Sequence, residues 1–231
     1  QNTYYIGRKV MNAKDLGIFK KVGVISSLYL AISYIIGIVI FLFVLKYQSI
    51  DDTQKFLLTI NKSNMIFLTN ILMYVLFGPF LVSLIVALYH YLYKDEDFFL
   101  KMGALTGIIW AGSLVASGMI ANSGLLYVSS IFKSNPAQAE TAWQIIDSIA
   151  MGIGNGNGEI LGGLFTLFIS ISGLKSKKLS KFTSYSGCVI GSIGIISLIP
   201  ALVDLTGLFG MLQIVWFISL TVYFFRKNSV E

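Results

Sequence analysis

The chain has 231 residues, 55% of them hydrophobic and only 12% charged, with a mean hydropathy of +0.77. Soluble domains carry about 25% charged residues, so an ordinary water-soluble globular fold is excluded and lipid is the expected solvent. The net charge of +6 comes with no basic patch interleaved with aromatics, so nucleic acid is not an expected partner.

Residues 1–21 are polar and basic and are read as a cytoplasmic surface segment. Six apolar runs follow, each long enough for the roughly 20 residues that cross a bilayer: Val22–Leu45, Asn64–Leu92, Met102–Phe132, Ser148–Leu174, Phe182–Val203 and Leu205–Phe225. They are apolar on all sides and too long for the alternating strands of a membrane β-barrel. The fold class is therefore all-α: one polytopic bundle of six transmembrane helices over 22–226, then a short tail, 227–231. The first run starts late, is too long for a signal-peptide core and lacks a small-residue cleavage site, so it is expected to be retained. It shows no polar core residue and reads as a lipid-facing span, and 46–63 reads as a solvated connection.

The second run contains Asn70 and Pro79, and the proline predicts a kink. His90, the only histidine, stands among tyrosines at an interface. The third run carries small residues at Gly103, Gly107, Gly112, Ser117 and Gly118, a spacing that lets helix backbones approach closely. It also carries Trp110, whose indole N–H needs an acceptor if buried, and Asn122 near its outer end. Asn135-Pro136 reads as a helix start, with Asn as N-cap and Pro at the first position. Trp143 beyond it is expected at the outer interface.

The fourth run is the anomaly. Asp147 precedes it, and Gly152, Gly154, Asn155, Gly156, Asn157, Gly158 and Glu159 lie inside it. Each glycine costs about 1 kcal/mol of helix propensity relative to alanine, so the cluster needs a reason. Either the helix is continuous and its glycines form a packing face, or it is broken and exposes backbone to a ligand. The continuous helix is the favoured reading, and it sets Asn155 and Glu159 on one face. The fifth run has Gly187, Gly191 and Gly194, a second close-packing face, and ends at Pro200. A very short turn with Asp204 leads to the sixth run, which holds Gln213 and Trp216.

Thirteen of the 17 lysines and arginines fall before the first run, after the second, after the fourth and after the sixth, and the other four fall between. Positive residues accumulate on the cytoplasmic side, so both termini are expected there. This ordering places Asp147, Asn122, Asn155, Asn157, Asp204 and Gln213 in the outer half or near the middle, and leaves the inner half with almost no buried polar groups. The expectation is an outward-facing polar cavity with Glu159 at its floor and Trp110 beside it. A carboxylate within a membrane segment is a functional-site hypothesis by default.

A single histidine and a single cysteine, Cys188, provide no multi-His or thiolate zinc site and no disulfide within the chain, and neither HExxH nor a P-loop occurs. No metal, cofactor or catalytic residue is expected. The segments Gly107-Ile-Ile-Trp110-Ala, Leu114-Val-Ala-Ser117-Gly118, Trp143-Gln-Ile-Ile, Gly154 to Gly163 with Glu159, and Gly210-Met-Leu-Gln-Ile-Val-Trp216 resemble the bacterial DUF4386 domain family over residues 18–226. That resemblance implies a six-helix protein of the bacterial inner membrane and brings no functional residues with it. The expected function is binding of a small molecule, lipid or ion around Glu159. The alternative is a small transporter or channel with Glu159 as proton- or cation-coupling group; an intramembrane enzyme is the weakest reading. The partners are the lipid bilayer and, through the small-residue faces, a second copy of the chain.

Overall fold

The computed structural model describes residues 13–93, 97–154 and 159–228, with side chains for 17–93, 97–154 and 159–226. Among these residues the fold is all-helical. The α-helices are α1 (Ala13–Gly37), α2 (Asp52–Asn61), α3 (Ser63–Asn70), α4 (Phe77–Leu92), α5 (Phe98–Ile131), α6 (Pro136–Ile153), α7 (Ile160–Ser176), α8 (Lys181–Ile196) and α9 (Leu205–Asn228). Four stretches are long and apolar enough to cross a membrane: Gly17–Ser49, Ser63–Leu92, Phe98–Ile131 and Leu205–Arg226. The fourth and fifth runs form shorter helices, α7 with 17 residues and α8 with 16.

The local chemistry explains where the helices stop. Pro200 can neither donate to the Ile196 carbonyl nor let Ile199 stay helical. Ile199 is extended (φ −72°, ψ 121°) and α8 ends at Ile196. The connection to α9 is therefore longer than the very short turn expected. Pro79 likewise leaves the Val75 carbonyl without its helical donor. The turn before it widens to a π-helical turn over Ile71–Val75, with Leu76 N–H reaching the Ile71 carbonyl at 2.8 Å. The predicted irregularity sits one turn ahead of the proline. Residues 52–61, expected as a solvated connection, form α2. Asp51 and Gln54 cap it reciprocally, and it buries Phe56.

Successive long helices run antiparallel. Along α1 and α9, Gly23 meets Phe224, the Ser27 and Thr221 hydroxyls lie 2.8 Å apart, and Tyr34 meets Phe217. Along α1 and α4, Phe19 stacks on His90 at one end and the Tyr29 hydroxyl donates to the Leu72 carbonyl further along. The first helix is thus no bare lipid-facing span. Ser26, Ser27 and Ser33 are buried on it with Leu30 and Ala31.

The small-residue faces pack as their spacing predicts. A side chain at Gly163 would stand 2.8 Å from the Gly191 carbonyl oxygen, and one at Gly191 would stand 2.6 Å from that of Gly163, so α7 and α8 touch backbone to backbone. On α5, Gly103 faces Ile169 and Gly107 faces Ile85 and Phe165, whereas Gly112 faces open space. The main core gathers Phe77, Leu81, Leu84, Trp110, Phe165, Trp216 and Phe217 between α4, α5, α7 and α9. A smaller core packs Phe56 of α2, Val128 of α5, and Ala139 and Trp143 of α6. Trp143 is a packed anchor there, 8% exposed.

The α7 end of the bundle is richer in buried polar groups than expected. Ser170, Ser172, Thr183 and Ser184 are buried. Asp97 caps α5 through its Oδ1 and accepts the Ser172 hydroxyl on its Oδ2 at 2.6 Å. A residue with a short hydroxyl side chain fits a close helix crossing, so the glycine-rich contact of α7 with α8 carries these hydroxyls inward.

Candidate functional site

The site follows from one mismatch of length. Helix α5 has 34 residues and no break, about 50 Å at 1.5 Å per residue. Its antiparallel partner is two helices laid end to end. Helix α6 follows the C-terminal part of α5: Gly124 meets Ile146, and the Ser117 hydroxyl donates to the Ala150 carbonyl at 2.7 Å. Helix α7 follows the rest, with Gly162 against Trp110 and Ser172 on Asp97. Helix α6 ends at Ile153 with Gly154 as its C-cap, and Glu159 is the N-cap of α7. The fourth apolar run is therefore not one continuous helix. Its glycines also divide: Gly163 and Gly162 pack, Gly154 fits against Ser117, and Gly152 faces open space. Asn155 and Asn157, with Gly156 and Gly158, lie outside the described residues, and so does the expected shared face of Asn155 and Glu159.

Glu159 is fixed through its backbone. Its N–H donates to Ser197 Oγ at 3.0 Å, and the Ser197 hydroxyl donates to the Gly194 carbonyl at 2.7 Å. The Glu159 carbonyl accepts the Gly163 N–H at 2.7 Å, closing the first turn of α7. The early end of α8 at Ile196 puts Ser197 within reach, so Pro200 helps to fix the Glu159 backbone.

The carboxyl enters a cavity of about 100 Å³ lined by Ser33 and Tyr34 of α1, Met73 and Tyr74 of the π turn, Phe77 of α4, Trp110 and Leu114 of α5, Gly154 and Glu159. Two buried polar atoms on its lining residues have no hydrogen-bond partner among the described residues: Glu159 Oε2 and the indole nitrogen of Trp110. Trp110 is 1% exposed. An orphaned buried polar atom costs about 1–3 kcal/mol, and native folds leave few, so a donor and an acceptor stranded at one cavity mark it out. The aromatic walls support one another edge to face, Tyr34 on Phe77 with centroids 5.7 Å apart and Phe77 on Trp110 at 5.5 Å.

The other sequence-derived candidates lie elsewhere. Asn122 accepts from Asn70 Nδ2 at 2.9 Å and donates to the Phe67 carbonyl at 3.2 Å, tying α5 to α3. Gln213 is fully buried and exchanges hydrogen bonds with Thr166, donating at 3.0 Å and accepting at 3.3 Å. Asp147 lies on α6 within electrostatic reach of Lys55 and Asp52 of the α2 helix. Asp204 is exposed in the turn before α9. Of the candidates within the described residues, Glu159 and Trp110 share the cavity. Sequence reasoning missed Tyr34, Met73, Tyr74 and Phe77, because aromatics and methionine in an apolar run look the same whether they face lipid or a cavity. Pro79 was the available signal for the π turn, since wide turns of this kind occur often at functional sites.

Among the described residues no three His, Cys, Asp or Glu side chains cluster to hold a metal. No family model, curated protein or solved structure matches the chain.

Proposed function

We propose that the chain is a bacterial inner-membrane protein with six membrane segments and both termini in the cytoplasm, which binds a small polar ligand in the Glu159 cavity. The observation that carries the reading is the break between α6 and α7. It sets Glu159 at a chamber where, among the described residues, its Oε2 and the Trp110 indole nitrogen are the buried polar atoms without a partner. A cavity of about 100 Å³ corresponds to roughly three waters at about 30 Å³ each, which suits a ligand of a few heavy atoms and not a lipid chain.

Several features support the membrane reading. The long helices turn large apolar residues outward, such as Ile25 and Ile32 of α1, Ile109 and Leu126 of α5, and Val215 and Val222 of α9. Soluble monomers rarely expose such continuous apolar surface. Lys20, Lys21, Lys101, Lys175, Lys177, Lys178, Lys181 and Arg226 gather at one end of the antiparallel bundle, and Lys46, Lys55, Lys62 and Lys133 stand at the other. The positive-inside rule makes the first end cytoplasmic.

The test is thermal unfolding of the detergent-purified protein against a panel of small amines, amino acids and inorganic cations, with Glu159→Gln alongside. At a hundred times its Kd a ligand stabilises by about 2.7 kcal/mol. The expected result is a class of compound that raises the melting temperature of the wild type and leaves the variant unmoved; a panel with no such class overturns the reading.

The discontinuous pair α6–α7 favours a second reading, in which the protein transports its ligand or couples to protons. Broken helices ending at mid-membrane sites are characteristic of transporters. Proteoliposomes loaded with a pH dye would then acidify under an imposed gradient, and Glu159→Gln would abolish the signal.

A further inference from the structure

The walls of the cavity narrow the ligand class, on the premise that the Glu159 chamber is a binding site. Four of its nine lining residues are aromatic (Tyr34, Tyr74, Phe77 and Trp110), one is the thioether Met73, and one is the carboxyl of Glu159. Each class of small ligand makes a different demand on such a wall. A hard inorganic cation such as magnesium or calcium takes six or more oxygen ligands, and the lining side chains offer one carboxyl, two tyrosine hydroxyls and Ser33. A small anion would meet Glu159. A neutral apolar molecule would leave the Glu159 oxygen as stranded as before. An organic ammonium ion with methyl groups meets what is present. Its diffuse charge is attracted to aromatic faces, the arrangement known as an aromatic cage, its methyl groups fit an apolar wall, and its charge is balanced by the one carboxyl.

We propose that the cavity between the α6–α7 break, the π turn and α1 binds a small methylated ammonium ion, with Glu159 as counter-ion and Tyr34, Tyr74, Phe77 and Trp110 as the cage. The size follows from the space. A cavity of about 100 Å³, smaller than the 150 Å³ one that takes benzene, leaves room for one compact ammonium head and not for a longer chain. The Trp110 N–H, a donor that such an ion cannot satisfy, is left for a hydroxyl or water that accompanies it.

The cage fixes which parts of the fold matter. Tyr34 rides on α1 beside Ser33, and Gly37 one turn further on lets the Met73 side chain pass where a larger residue would collide with it. Tyr74 also covers Gly118 of α5, where a side chain would come within 2.6 Å of its Cβ. The cage is therefore held by close helix contacts on two sides, and an aromatic ring at position 74 is a positioning as well as a binding element.

The test uses the full chain in detergent and equilibrium dialysis with radiolabelled tetramethylammonium. Tert-butanol serves as a neutral molecule of the same heavy-atom count, and tetraethylammonium as an oversized one. Saturable binding of one tetramethylammonium per chain is expected, displaced by trimethylammonium and not by tert-butanol or tetraethylammonium. Glu159→Gln should weaken it about tenfold or more, Tyr74→Leu several-fold, and Tyr74→Phe little, because the ring face and not the hydroxyl is the contact. If Glu159→Gln fails to fold, the Tyr74 pair decides the question alone. Displacement by tert-butanol, or equal binding in Tyr74→Leu and wild type, would overturn the ammonium assignment and leave the cavity as a site for another small molecule. No saturable binding of either methylated ion would overturn the assignment also, while a different hit in the Glu159-dependent stability panel would keep the broader reading standing.

Discussion

Glu159 reaches its cavity because residues far from it in sequence make room. Ser197 holds its N–H, and Gly163 lets α7 lie backbone to backbone on α8, so that the helix it starts is fixed in place. Two substitutions separate packing glycines from unused ones. Gly163→Ala places a methyl 2.8 Å from both the Gly191 carbonyl oxygen and the Ile195 nitrogen, and backbone cannot rotate away. Overpacking of this kind costs about 1–3 kcal/mol. Gly152→Ala meets nothing within 4 Å inside the last turn of α6, so it should stabilise by up to about 1 kcal/mol. Thermal melts of the two variants in one detergent should move in opposite directions. Both glycines belong to the same sequence motif, and the motif alone cannot tell them apart, because contact depends on which face the neighbouring helix covers. The candidate site was legible to a similar extent. A charge and a tryptophan in an apolar run stand out because burying them is costly. Asn122 and Gln213 stand out for the same reason, yet they meet Asn70 and Thr166 and are satisfied. Asn122→Ala is accordingly expected to cost roughly 0.6–1.7 kcal/mol, the range for hydrogen bonds between membrane helices, with no change in ligand binding; a variant of normal stability that no longer binds would return Asn122 to the site.

The pairing of one long helix with two short ones is what opens the cavity. Had the fourth run formed a single helix against α5, Trp110 and Ser117 would face a continuous wall. The extent of the apolar runs matched the second, third and sixth segments within a few residues, since length and hydropathy act over whole turns. It could not give the break, because alternating glycines serve a close crossing and an interrupted helix equally well. Nor could it give α2, whose capping pair Asp51 and Gln54 sits in a stretch polar enough to read as solvated. The π turn is the second device, and it can be tested. Pro79→Ala supplies the donor that the Val75 carbonyl lacks and removes the steric reason for the wide turn. Relaxing Ile71–Val75 toward an ordinary α-turn would carry Met73 and Tyr74 about 100° around the helix axis, away from the cavity. Thermal stability should hold or rise while binding of a cavity ligand falls. A variant that retains full binding would show that packing against α1 and α5, and not the proline, maintains the turn.

The bundle as a whole has two chemically different ends, and the difference gives its orientation a physical basis. At one end the start of α1, the end of α4, the start of α5, the α7–α8 turn and the end of α9 come together. Tyr91 and Tyr223 share a hydrogen bond of 2.8 Å there, Lys178 donates to the Tyr93 carbonyl at 3.0 Å, and Lys175 lies over the Phe99 ring at 4.0 Å. Each additional lysine or arginine near an anionic leaflet would contribute about 1 kcal/mol toward holding that end against it. At the other end the charges are mixed: Lys55 pairs with Asp52 at 2.8 Å, and Glu140 accepts the Thr53 hydroxyl at 2.6 Å. The sequence already carried this asymmetry, because the lysines alternate with the apolar runs, and the antiparallel packing collects them at one end. Single cysteines at positions 204 and 178, placed in a Cys188→Ser background, test the orientation in intact cells. Asp204 is exposed beyond the end of α8, and Lys178 stands exposed in the turn between α7 and α8 at the basic end. A membrane-impermeant maleimide added outside should label Asp204→Cys and spare Lys178→Cys until the membrane is opened. The reverse pattern would invert the protein and set the end of mixed charge in the cytoplasm. Labelling of both from one side would show that α8, the helix between them, does not cross the membrane, and would overturn the six-segment topology.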